Sequence, residues 1–178
     1  ITMTYPQIGN YGVNREDCQS EKPALRGLVV RDMCQVPSNW RSELTLPDFL
    51  RENNVVAIEG VDTRALVRHV RDNGAQRAVL STLDTDAESL LAKVRASESI
   101  VGVNLAETVS RSEKATFGID DLPKTQAFAL SAPAPAKYKV VAYDCGAKLS
   151  IFQNLVRVGC VLTAVPWDTP AGDVLAMN

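Results

Sequence analysis

The pattern of apolar residues after position 138 restricts the possible folds more than any other feature of the chain. Its segments are, in order, a strand-like run at Lys139–Tyr143, a turn at Asp144–Gly146, a helical pattern at Ala147–Val158, a second strand-like run at Cys160–Val165 and a helix start at Thr169–Pro170. The order β-α-β-α is typical of the beginning of a parallel, doubly wound sheet. This part of the sequence therefore predicts an α/β fold.

A Pro-rich segment separates this pattern from the residues before it. Ser131–Ala136 consists of small residues and prolines, a composition that favours an extended linker. We therefore predict a first domain at residues 1–125, a linker at 126–138 and a second domain at 139–178. One βαβ unit and a helix cannot cover both faces of a parallel sheet. We expect the second domain to be truncated.

The first 125 residues mix short strands with amphipathic helices, without strict alternation. Apolar runs predict strands at Leu25–Arg31 and Val55–Ile58, and a weaker one at Ala78–Ser81. Three helices are predicted from a capping residue and the pattern after it: Thr45 before a helix to about Asn53, Asp62 before Thr63–Asn73, and Asp84 before Thr85–Ala96. The mixture predicts an α+β or mixed domain.

Charge and composition exclude several classes of protein. The net charge of −2 and the sequence pI near 5.5 provide no field that would attract nucleic acid or an anionic membrane. No apolar run approaches the roughly 18 residues that a membrane helix needs. The four cysteines are widely spaced, which favours reduced thiols in a cytoplasmic setting. With His69 as the single histidine, a Cys/His zinc site would lack ligands, and we predict no metal or cofactor site in this chain.

The turn after the first strand of the second domain is the place to look for a nucleophile or a phosphate loop. A nucleophile elbow at Cys145 needs small residues two positions before and after it, and Tyr143 is bulky. Gly146 is a single glycine, whereas dinucleotide and P-loop motifs need more. A packed turn thiol and a simple turn are favoured over catalysis or nucleotide binding. We therefore predict no catalytic residue in this chain.

Three arginines share one side of the predicted helix at 63–73. Arg64, Arg68 and Arg71 lie largely opposite the apolar residues of that helix. A solvated helix face and a contact surface for a partner or an anionic group both fit this pattern. We keep the three arginines as a candidate partner interface.

Four ordered motifs resemble the small subunit of carbamoyl phosphate synthetase. They are Tyr5–Asn14, Gly27–Asp32 with Ser38–Arg41, Gly60–Leu66 continuing to Ala75, and Val141–Lys148. Their order and spacing agree with that family along the whole chain, and Gly60–Leu66 is the most specific. Other class I amidotransferases would match only the last motif.

The resemblance implies both a fold and an activity. It implies a mixed small-subunit N-terminal domain, followed by the truncated start of a flavodoxin-like class I glutamine amidotransferase domain. That family hydrolyses glutamine with a Cys nucleophile, a His and a Glu, none of which can be placed in these 178 residues. We therefore expect the 178-residue piece alone to be inactive.

The resemblance also implies partners and a pathway. Ammonia would pass to a large subunit, which binds ATP and Mg²⁺ and makes carbamoyl phosphate from bicarbonate for arginine and pyrimidine biosynthesis. The implied assembly is a cytoplasmic heterodimer without nucleic acid or membrane. Two alternatives stay open: a docking module whose amidotransferase half is degenerate, and an unrelated nucleotide-binding α/β domain.

Overall fold

The computed structural model describes residues 1–122 and 133–177. The chain divides into two compact units, Ile1–Val101 and Gly102–Asn178. Of the predicted linker, residues 126–132 lie outside the described residues, 133–137 form neither helix nor strand, and residue 138 begins a strand. The observed boundary lies before the one predicted at residue 125, because residues 102–122 pack with the second unit.

The first unit contains short parallel strand pairs, three α-helices and a 3-10 helix at Arg15–Asp17. Its elements are β1 (Gln7–Ile8), β2 (Gly27–Val29), β3 (Asp32–Met33), α1 (Leu46–Glu52), β4 (Val56–Ile58), α2 (Thr63–Asn73) and α3 (Ala87–Ala96). Strand β1 pairs with β3, and β2 pairs with β4. The buried core consists of Leu28, Val30, Met33 and Leu50.

Two of the predicted helix starts in this unit are confirmed. The Thr45 hydroxyl accepts a hydrogen bond from the Asp48 backbone N–H at 3.1 Å, which caps α1. The Asp62 carboxylate accepts one from the Ala65 N–H at 2.9 Å, which caps α2. Gly74 ends α2 with a φ of 82°, a conformation that favours glycine. Local capping chemistry thus sets the limits of both helices.

Two predictions in the first unit are wrong. Helix α3 is capped by Asp86, not Asp84, because the Asp86 carboxylate is the one that accepts the Ser89 N–H. Asp84 instead binds side chains farther along the helix, the Ser89 hydroxyl and the Lys93 ammonium. The predicted strand at Ala78–Ser81 is absent, because this segment pairs with no strand and packs the Leu80 side chain against Gly27.

The second unit is built on a three-stranded sheet. Its elements are α4 (Leu105–Val109), β5 (Ala115–Phe117), β6 (Tyr138–Asp144), α5 (Leu149–Arg157), β7 (Cys160–Pro166) and α6 (Ala171–Leu175). The strand order is β5-β7-β6. Strand β6 runs parallel to β7 and β5 antiparallel to it. The parallel β6-α5-β7 unit predicted from the sequence is confirmed.

One element of the second unit was not predicted, and the starts of two helices differ from the predictions. The sequence around residues 110–125 is polar and poorly periodic, yet Ala115–Phe117 forms β5 because it pairs with the central strand β7. Helix α5 begins at Leu149, because the N–H groups of Gly146 and Ala147 belong to the preceding turn. Pro170, not Thr169, precedes α6, and the Thr169 hydroxyl donates to the Pro166 carbonyl at 2.9 Å.

Candidate functional site

A cleft at the start of α2 is the candidate site in the first unit. Its volume is about 330 Å³, and it is lined by Thr4, Pro6, Arg31, Asp62, Thr63, Arg64, Ala65 and Arg68. Arg31 follows β2, while Asp62 to Arg68 come from the first two turns of α2. The Gly60 N–H donates to the Arg31 carbonyl at 2.9 Å, which ties the two segments together. The cleft thus lies between a strand end and a helix N-terminus.

Two of the three arginines of the candidate partner interface line this cleft. Arg64 and Arg68, one helical turn apart, both line the cleft. Arg71 does not line it, and its Nε lies 3.0 Å from Asp72 Oδ1. Arg31 joins the other two, although 33 positions separate it from Arg64 in the sequence. Helical spacing could not reveal Arg31, because its proximity depends on backbone hydrogen bonds between the residues after β2 and the residues before α2.

The charges of the cleft are unbalanced. Among the described residues, Arg31, Arg64 and Arg68 make no ion pair with a carboxylate. Asp62 supplies one negative charge in the same wall, and its Oδ1 already caps the helix. The N-terminus of α2 adds the positive end of a helix dipole. The cleft therefore favours an anionic group.

Thr63 provides a polar side chain at the base of this cleft. The residue is 2% exposed, and its backbone N–H donates to the Val61 carbonyl at 2.8 Å. Its hydroxyl makes no hydrogen bond with any residue in the described part of the chain. Within that part, every side-chain oxygen or nitrogen that is sealed from solvent has a partner, so the unpartnered Thr63 hydroxyl is not fully sealed, and its residue lines the cleft. An acceptor placed in the cleft would satisfy it.

In the second unit, the turn between β6 and α5 is the candidate position for a nucleophile or a phosphate loop. Asp144 Oδ1 accepts the N–H groups of Gly146 and Ala147, both at 3.0 Å, and Asp144 Oδ2 accepts Arg111 Nε at 3.0 Å. Burial by itself raises the pKa of Asp144, but these three hydrogen bonds together outweigh it and lower the pKa. Asp144 is therefore a structural carboxylate that closes the turn.

This geometry argues against a phosphate loop at Gly146. A phosphate loop needs backbone N–H groups that are open to the ligand. Here the Asp144 carboxylate already takes two of them and would repel a phosphate. The geometry therefore does not favour the nucleotide-binding alternative.

Cys145 lies in the same turn and is exposed. The structure gives it no hydrogen bond with a described residue that would activate the thiol. The other three cysteines are also free, and within residues 1–122 and 133–177 no three His, Cys, Asp or Glu side chains form a group that could hold a metal ion. No helix in the same described ranges is long and apolar enough to cross a membrane.

Comparisons with known proteins show which proteins this chain resembles. Residues 1–80 match the family model described as carbamoyl-phosphate synthase small chain, CPSase domain. The carbamoyl phosphate synthase small chain of Syntrophotalea carbinolica is 50% identical over 178 residues, which is all of this chain and 47% of that protein. The chain is related to carbamoyl phosphate synthase small chains over its whole length. The resemblance carried by the four sequence motifs is therefore confirmed.

Two further small chains agree with this relationship. Those of Nitratidesulfovibrio vulgaris and Thermotoga maritima are each 41% identical, over 182 and 178 residues, and all of this chain is matched in both cases. The matched region is 48% of the first protein and 42% of the second. The chain thus spans about half the length of the curated relatives it matches.

Proposed function

We propose that this chain is part of a small subunit that releases ammonia from glutamine for carbamoyl phosphate synthesis. In the proposed reaction, a large subunit combines that ammonia with bicarbonate, using ATP and Mg²⁺, for arginine and pyrimidine biosynthesis in the cytoplasm. The single observation that supports it is the 50% identity over all 178 residues to a carbamoyl phosphate synthase small chain.

We propose that these 178 residues form a scaffold and supply no catalytic residue for glutamine hydrolysis. The second unit supplies a parallel β6-α5-β7 layer on which a class I amidotransferase domain can be extended. We propose that its flavodoxin-like continuation, with the Cys, His and Glu that hydrolyse glutamine, lies in the other half of the full-length protein. Cys145 has no role in this proposal.

A reconstituted complex tests the proposed function. The full-length small chain and its large subunit should make carbamoyl phosphate with either glutamine or ammonia as the nitrogen donor. A complex that accepts ammonia and not glutamine would favour the docking module with a degenerate amidotransferase half. Cys145→Ser should leave glutamine hydrolysis unchanged, and loss of hydrolysis in that variant would contradict our assignment of the thiol.

We also propose that the α2 surface carrying Arg64, Arg68 and Arg71 faces the large subunit. Support comes from the exposure of the helix: apart from Thr63 and Leu66, its residues are exposed, including Val67 and Val70. A helix with an uncovered apolar edge and several arginines is suited to a protein interface. Co-purification of the large subunit with variants of these arginines tests this placement.

A further inference from the structure

We propose that the cleft at the start of α2 is a binding site for a protein carboxylate, the side chain of an Asp or Glu residue. In this site, the guanidinium groups of Arg64, Arg68 and Arg31 surround the carboxylate, and the Thr63 hydroxyl donates a hydrogen bond to it. This proposal stands independently of glutamine hydrolysis.

The charge of the cleft supports the site. Three arginines and one aspartate line a space of about 330 Å³. Like charges held around one cleft repel each other, and an anion between them removes that repulsion. The guanidinium fork matches a carboxylate with two parallel hydrogen bonds, which makes arginine well suited to this ligand.

Thr63 supports the site independently of the charges. The residue is almost completely buried and lines the cleft, yet its hydroxyl donates to no described residue and is not fully sealed from solvent. The walls around it are cationic, so an anionic acceptor fits there better than a neutral one. The hydroxyl and the arginines therefore point to the same ligand chemistry.

Asp62 indicates which kind of anion the cleft takes. Its carboxylate forms part of the wall and caps α2 through the Ala65 N–H. A phosphate carries up to two negative charges at neutral pH, and the Asp62 carboxylate would repel it more than a singly charged carboxylate. The apolar parts of Thr4, Pro6 and Ala65 also suit the stem of an Asp or Glu side chain.

Two sources can supply the same carboxylate, and one set of variants separates them. Arg64→Ala/Arg68→Ala is compared with Arg95→Ala, which removes an exposed arginine of α3 that does not line the cleft. Both are made in the full-length small chain. If the carboxylate belongs to that polypeptide, the double variant should lower the melting temperature of the small chain alone by at least about 3 °C.

If the carboxylate belongs to the large subunit, the melting temperature should stay unchanged. The double variant should then weaken binding of the large subunit roughly tenfold, and less so at high salt. Either result with an unaffected Arg95→Ala variant supports the site. The proposal is overturned if the double variant changes neither quantity, or if Arg95→Ala has the same effect.

Substitutions of Thr63 distinguish a ligand-binding hydroxyl from simple packing. Thr63→Ser keeps the hydroxyl and loses a methyl group, whereas Thr63→Val keeps the shape and loses the hydroxyl. The proposal predicts that Thr63→Val is the more damaging of the two in whichever assay responds to the double variant. The reverse order would assign Thr63 to packing alone. Inorganic phosphate provides a further test. If it raises the melting temperature only when Arg64 and Arg68 are present, and Thr63→Val has no effect, the proposal that the ligand is a carboxylate is contradicted.

Discussion

Helices α2 and α5 have similarly amphipathic sequences but very different surroundings. In α5, Phe152 and Val156 are buried, 4% and 2% exposed, in the core of the second unit. In α2, Val67 and Val70 remain 38% and 36% exposed, and Thr63 is the buried residue. Amphipathic spacing thus identifies the face that a helix would bury, and the neighbouring surface decides whether it is buried.

The neighbouring sheets explain this difference. Helix α5 packs against β7, the central strand of three, whose residues Leu162 and Ala164 are fully buried. The first unit has pairs of strands two or three residues long, which offer a small apolar surface. Its four buried apolar residues lie around β2 and α1 and leave α2 outside that cluster. The contrast between the two units leads to four predictions, from the largest effect to the smallest.

Removing an aromatic side chain from α5 should have the largest effect. Phe152 is buried, and its ring centroid lies 5.2 Å from that of Phe117. Phe152→Ala should lower the free energy of unfolding by about 3–5 kcal/mol, because it leaves a cavity. Val70→Ala in α2 should change it by less than about 1 kcal/mol, because that side chain is already partly exposed. Urea unfolding of the full-length protein measures both, and equal losses would contradict the contrast between the helices.

Substitutions of two glycines with positive φ angles distinguish the stability cost of backbone strain from the cost of a steric clash. A Cβ at Gly159 would lie 2.7 Å from the Pro135 carbonyl oxygen, whereas a Cβ at Gly60 meets nothing within 4 Å. Gly60→Ala should cost about 1–2 kcal/mol from strain alone. Gly159→Ala should cost more than that, since a backbone atom must also move. Thermal unfolding measures which variant loses more stability. Equal losses for the two variants would show that the segment before β6 moves aside without a cost in stability.

The carboxylate of Asp144 should give the second unit a measurable pH dependence. Because its pKa is lowered in the folded state, its contribution to stability is present above the unfolded pKa of about 3.9 and is lost as the pH falls through the folded pKa. Asp144→Asn keeps an acceptor for the turn and loses the charged pair with Arg111, which should cost about 1–3 kcal/mol at pH 7. The difference from the unsubstituted protein should shrink below about pH 4. A difference independent of pH would exclude the charge as its cause.

Asp84 should give the first unit a pH dependence of stability in the same direction as that from Asp144, but smaller in size. The Lys93 ammonium, the Ser89 hydroxyl and the Asp86 N–H lower the pKa of Asp84 to about 2. Its stabilising effect should be present above about pH 4 and be lost as the pH falls towards 2. Its pair is more open to solvent than that of Asp144, so Asp84→Asn should lower the melting temperature less, and about 1 M salt should remove most of the effect. An effect as large as that of Asp144→Asn would contradict this comparison.

The candidate site was only partly predictable. Arg64 and Arg68 follow from helical spacing, because residues four apart share one face. Arg71 follows from the same spacing, but its ion pair with Asp72 and its position outside the cleft do not. Arg31 and the buried position of Thr63 could be found only from the tertiary structure, in which the residues after β2 are hydrogen-bonded to those before α2. The proposed interface with a large subunit stays a prediction.

The amino-acid sequence by itself determined the features that depend on near neighbours. Asp62 and Gly74 limit α2, and the apolar runs of β6 and β7 define a parallel βαβ unit, because capping and strand formation follow from residues a few positions apart. The tertiary structure alone decided that Ala115–Phe117, in a polar stretch, becomes an edge strand and that three arginines meet at one cleft. Those outcomes depend on contacts between segments far apart in the chain, which local patterns do not encode.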